Sequence, residues 1–142
     1  MILKRTISHM YFDEHDIIVA PATATGGAIA VIRVSGEGSV ECCDQIFRGR
    51  TRLSDAKPHT AHYGEIIDGE RVLDDVLLTV FRAPHSYTGE DGVEISIHGS
   101  AYIASEVLAL LVGHGARMAQ PVHLQGAVAL FHVAVPHHAQ RL

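Results

Sequence analysis

The sequence predicts an α+β domain, a mixed sheet with two to three helices, and three observations carry that prediction. Short apolar runs with period-two alternation recur between turn signals, "AIAVIRVS" at Ala28 to Ser35 being the clearest. Asp68-Gly69 separates two such runs and reads as a hairpin turn, because Asp-Gly tolerates the positive φ values of a type I′ turn. Helical spacing occurs in only two well-separated places, which suits α+β segregation better than a doubly wound sheet.

The first fifteen residues show no periodicity and read as a tail or as translation from an upstream start, so structure is expected from near Asp16. Ile17 to Ala20 is a short strand candidate and Pro21 to Gly27 a small-residue loop. In the next strand, Ala28, Ala30, Ile32 and Val34 fall on one face and Ile29, Val31, Arg33 and Ser35 on the other. Gly36 and Gly38 turn the chain, Ser39 is placed to cap a helix, and Val40, Cys43 and Phe47 follow at helical spacing. A basic, irregular link then runs to about His59. Thr60 to Ile67 and Glu70 to Leu73 form the hairpin, and Asp75 to Phe81 is a further strand.

Ser86 to Asp91 reads as a turn pivoting on Gly89, and Val93 to His98 as a strand with Val93, Ile95 and Ile97 on one face and Glu94, Ser96 and His98 on the other. Ser100 is placed to cap a helix through about Val112, with Ile103, Val107, Leu110 and Leu111 on its apolar stripe and Gly113 or Gly115 ending it. Ala116 to Ala119 is a last strand candidate. There is no internal repeat and no low-complexity tract.

The bulk composition narrows the functional classes. At 142 residues, 47% hydrophobic and 19% charged, the chain can bury one core and is too apolar for disorder. A formal charge of −5 argues against autonomous nucleic-acid binding, since only Arg48, Arg50, Arg52 and Lys57 lie close together. The adjacent Cys42 and Cys43 would make a strained disulfide and read as reduced thiols of a cytoplasmic protein. No apolar run has the length of a signal peptide or a membrane span, so no membrane association is expected.

Arg33 and Glu94 are the residues whose placement suggests chemistry. Each projects from the less apolar face of its strand, so Glu94 is a candidate partner for Arg33, or for a ligand between them; alternatively, Arg33 reaches water past its aliphatic stem. A fixed carboxylate accepts two parallel N–H bonds, which suits a guanidinium or the amino-pyrimidine edge of a pterin. His98 precedes a helix N-terminus that Ser100 begins, where backbone N–H groups favour an anion, although taken alone the pattern favours a structural histidine. His123, His132, His137 and His138 match no metal-ligand spacing, so no metal site is expected. The sequence also lacks G-x-x-x-x-G-K-[ST], which removes the P-loop route to nucleotide hydrolysis.

Four segments together resemble the N-terminal domain of the tRNA modification GTPases MnmE/TrmE: "DIIVAPATATGGAIAVIRVSG", "TAHYGEI", "APHSYTGEDGVEISIHGS" and "GARMAQP". The likeness spans residues 16–121 in order, with a tail at 1–15 and a divergent segment at 122–142. It implies a fold like the folate-binding domain of the glycine-cleavage T-protein, a homodimer, and a bound tetrahydrofolate derivative, 5-formyl- or methylene-tetrahydrofolate. It places the family's binding arginine on Arg33 and its binding glutamate on Glu94, with no catalytic residue in this chain; His98 and Ser100, at the helix N-terminus read above, are further candidate folate contacts. In the family, the intact protein carries a GTPase domain and works with an MnmG-type flavoprotein on the wobble uridine of tRNA.

Two departures accompany the resemblance. The glycine-rich loop reads "ATATGG" where the family has Pro and Arg before its Gly pair, and after Pro121 the family's folate-contacting lysine has no counterpart, since no lysine follows Lys57. A truncated or frameshifted remnant that folds without binding folate is therefore one alternative. A small stand-alone acid/base enzyme using Glu94 and His98 is another, although four residues of strand separate them by roughly 13 Å.

Overall fold

The computed structural model describes residues 16–119, so the tail at 1–15, the divergent segment at 122–142 and its histidines lie outside the described residues. The elements, in chain order, are β1 (Ile18–Pro21), β2 (Ile29–Ser35), α1 (Ser39–Asp44), β3 (Phe47–Gly49), a 3-10 turn (Leu53–Asp55), β4 (Thr60–Asp68), β5 (Arg71–Phe81), β6 (Gly92–His98), α2 (Ala101–Gly113) and β7 (Arg117–Met118). This is the α+β architecture that the sequence predicts. The strands form one seven-stranded sheet in the order β3-β4-β5-β6-β2-β1-β7, antiparallel throughout except for the parallel β1–β7 pair.

Period-two alternation decides which side of the sheet is closed. Ala30, Ile32 and Val34 of β2, Val76, Leu78 and Val80 of β5, and Val93, Ile95 and Ile97 of β6 are all buried in one core cluster. Val40, Cys42 and Cys43 of α1 and Ala104, Val107 and Leu111 of α2 join that same cluster, so both helices cover one face. Each Val, Leu or Ile among them, fully buried, stabilises the fold by roughly 1.5–3 kcal/mol before conformational entropy is counted. Among the described residues the opposite face is uncovered and carries Arg33, Glu94, Ser96 and His98, together with the exposed apolar residues Ile29, Tyr63 and Leu77.

The structure corrects several sequence readings. Ser39 is not the cap of α1: Gly38 occupies that position at φ 87°, and Ser39 lies in the first turn with its hydroxyl buried and unpartnered among the described residues. Phe47 ends its helical spacing by entering β3, where it pairs with Ile66. The basic link is ordered by Asp44, whose Oδ1 accepts the Leu53 N–H at 2.9 Å while Oδ2 accepts from Ser54 Oγ at 2.9 Å and from Arg52 Nη2 at 3.0 Å. Burial pushes the Asp44 carboxyl up, but these bonds from Leu53, Ser54 and Arg52 outweigh it and hold the group below its ordinary value.

The hairpin exists, but its two-residue loop is Gly69–Glu70, closed by the Asp68–Arg71 pair. Gly69 alone takes a positive φ, of 61°, so the turn does not have the I′ form expected of Asp-Gly. No break separates Leu73 from Asp75 either. β5 runs unbroken through Asp74, a buried carboxylate that the sequence alone presents as a strand breaker.

Candidate functional site

β2 and β6 are neighbours in the sheet, and their register sets Arg33 directly opposite Glu94. Because both residues fall on the open-face phase of their strands, the side chains meet above the sheet instead of within the core. Arg33 Nε and Nη2 donate to the same oxygen, Glu94 Oε1, at 3.2 and 2.9 Å. Among the described residues no hydrogen bond reaches Glu94 Oε2. The side chains are 21% and 31% exposed, so the pair is partly desolvated yet approachable from solvent.

The Arg33 guanidinium also lies over the Tyr87 ring, with Cζ 4.5 Å from the centroid. Tyr87 belongs to the loop at residues 84–91, which pivots on Gly89 at φ 79° as the sequence suggests. Arg33, Ser35, Phe81, Tyr87, Thr88 and Glu94 line a cleft whose enclosed space is about 10 Å³, close to the room one water needs. Farther along the same face, Ile29, Tyr63, Leu77, Ser96 and His98 border a shallow concavity of about 490 Å³.

His98 stands at the other end of β6. Its Nδ1 is 2.6 Å from Asp74 Oδ1, and its backbone N–H donates to Asp74 Oδ2 at 2.8 Å. Asp74 thus fixes the imidazole, and Nε2 is left facing outward on a side chain 67% exposed. Sequence reading missed this pair, because Asp74 looked like a break between strands and nothing in a linear sequence pairs positions 74 and 98. His98 and Glu94 share a face but no partner, so the structure does not join them as an acid/base couple.

Ser100 is the N-cap of α2, its hydroxyl oxygen accepting the Ile103 N–H at 3.3 Å, as the sequence predicts. The glycine-rich loop folds back on β2: Ala22 N–H donates to the Val31 carbonyl at 2.7 Å, and Val31 N–H to Thr23 Oγ1 at 2.8 Å. One threonine of "ATATGG" therefore takes the place of a strand partner. Among the described residues, no group of three or more His, Cys, Asp and Glu side chains is placed to hold a metal ion, and no helix is long and apolar enough to cross a membrane.

A sheet face uncovered among the described residues, with a carboxylate bonded through one oxygen only, leaves Glu94 Oε2 accessible to an N–H donor. The family model described as GTP-binding protein TrmE N-terminus matches residues 17–122, and the chain belongs to that family. A tRNA modification GTPase MnmE of Bacteroides thetaiotaomicron is 52% identical over 109 residues, 75% of this chain and 23% of the relative. The tRNA modification GTPase MnmE of Flavobacterium psychrophilum is 49% identical over 109 residues, covering 75% of this chain and 24% of the relative. That of Porphyromonas gingivalis is 49% identical over 110 residues, with 75% and 23% covered. The chain thus spans about a quarter of the length of these relatives.

Proposed function

We propose that this chain is the tetrahydrofolate-binding, homodimerising module of a tRNA wobble-uridine modification GTPase, residues 16–121 forming the module. The carrying observation is the Arg33–Glu94 pair, in register on the open face, with both guanidinium bonds on Oε1. With both Arg33 bonds on Oε1, Oε2 keeps its acceptor sites for an N–H donor, and the two parallel N–H bonds of the amino-pyrimidine edge of a pterin form once one Arg33 bond on Oε1 gives way. The residues present fit such a group.

Glu94 would accept the two N–H bonds and Arg33 would fix the carboxylate plane. His98, about 13 Å farther along β6, and Ser100 at the start of α2 would flank the rest of the ligand. The chemistry a folate brings when bound is a one-carbon unit, in the 5-formyl or methylene state; this chain's part is to bind and orient it. The exposed Ile29, Tyr63 and Leu77 support a second copy as partner, since apolar residues grouped on one sheet face favour association. A cytoplasmic setting, with an MnmG-type flavoprotein and tRNA engaged only through the full-length protein, completes the reading.

The test is calorimetric titration of the chain with 5-formyltetrahydrofolate, its oligomeric state fixed by light scattering. Saturation at one ligand per subunit is expected, with Glu94→Ala weakening the affinity about 10- to 100-fold for loss of charge-assisted bonds. Equal affinities would remove Glu94 from the site. A folded wild-type dimer that binds nothing would favour the remnant reading, in which the missing lysine after Pro121 has cost the site its function.

A further inference from the structure

Tyr87 is an exposed aromatic, 60% accessible, on a loop that is already fixed without its ring. On one side, Ser86 Oγ donates to the Glu90 carbonyl. On the other, Thr88 shares a buried hydroxyl contact of 2.7 Å with Ser35. Asp91 closes the loop by accepting from Ala83 N–H at 2.9 Å and Arg82 Nη1 at 3.1 Å, while its own carbonyl accepts the Gly36 N–H at 2.9 Å. Core burial does not account for the ring either, since most of it faces water. What the ring does touch is the Arg33 guanidinium.

A part-exposed arginine ordinarily gives up much of its ion-pair energy to the entropy of ordering a long side chain. A ring stacked on the guanidinium plane supplies that order beforehand and leaves the in-plane N–H edge free to bond. Here that edge is the one formed by Nε and Nη2, and both reach the same Glu94 oxygen. We propose that Tyr87 is a positioning residue for the Glu94 carboxylate: with its ring 4.5 Å from Arg33 Cζ, it holds the guanidinium on Glu94 Oε1, so that Oε2 is presented to an amino-heterocyclic ligand. The inference rests on the folate reading above and adds the element that sets the site's readiness.

The test is a double-mutant cycle on the full 142-residue chain, titrated with 5-formyltetrahydrofolate. Tyr87→Leu is expected to weaken binding about 3- to 10-fold, the size of a part-exposed cation–π contact. Tyr87→Phe keeps the ring and should stay near wild type. In an Arg33→Ala background, Tyr87→Leu should cost nothing further, because the ring then has no guanidinium to hold. A loss of equal size in both backgrounds would mean that the ring meets the ligand itself, and would overturn the proposal; so would wild-type affinity in Tyr87→Leu.

A ligand-free readout separates this from the folate reading. The Arg33 Nε–H and Cδ–H resonances should carry a ring-current shift that Tyr87→Phe preserves and Tyr87→Leu abolishes. If the wild type binds no folate but the shift behaves in this way, the function reading falls and the positioning of Arg33 stands. Absence of the shift in the wild type would end the proposal outright.

Discussion

At Gly99 the chain has no room for a side chain. A Cβ built there would lie 1.8 Å from the carbonyl oxygen of Gly27, in the loop that Gly26 N–H, donating to Gly99 O at 2.8 Å, ties to the end of β6. Backbone, not a flexible side-chain tip, would have to yield. Gly99→Ala should therefore lower the urea midpoint by the equivalent of about 1–3 kcal/mol, the usual cost of forcing atoms into a packed site. An unchanged midpoint would show that the glycine-rich loop moves aside freely. In the sequence, the glycine of "IHGS" could be read only as punctuation, because the atom that excludes a side chain lies more than seventy positions away. Arg33 and Glu94 were legible for the opposite reason: strand alternation alone assigns each to its face, and only their register awaited the fold.

Two serines precede helical spacing in this chain, and the sequence assigns them the same role. The elements divide them. Ser100 caps α2 through the Ile103 N–H, whereas Ser39 comes one residue late, since Gly38 in the left-handed region already makes the cap of α1. Ser100→Ala should cost about 0.5–2 kcal/mol in denaturant unfolding. Ser39→Ala should be neutral or slightly stabilising, because it removes a buried hydroxyl with no partner among the described residues. Losses of similar size in both variants would contradict the division. Caps of this kind are ambiguous in sequence because Gly and Ser both serve as N-caps, and only the backbone angles show which one does. β3 was hidden for a related reason: three residues inside a basic stretch carry too little alternation to signal a strand, and pairing with β4 makes them one.

Across the described residues as a whole, the decisive feature is that helices close one face of the sheet and leave the other uncovered. Cys42 and Cys43 report on the closed face, since α1 holds both against the core, and Cys42 Sγ reaches the His114 carbonyl past the end of α2 at 3.5 Å. Burial pushes both thiols up, Cys43 well above its ordinary value, with the neighbouring Cys42, Asp44 and Glu41 charges adding to the effect at Cys43. Reactive thiolate at pH 7 is thereby suppressed on top of the steric block. Ellman's reagent should label neither cysteine in native buffer except through opening of the fold, and should label both quickly in denaturant. If that opening is global, the native labelling rate tracks the unfolding equilibrium. Gly99→Ala, some 1–3 kcal/mol less stable, should then label roughly 5- to 150-fold faster although it lies far from either thiol in sequence. An unchanged rate in that variant would mean that α1 lifts off by itself, and that the helices and the site-bearing face of the sheet are not one cooperative unit.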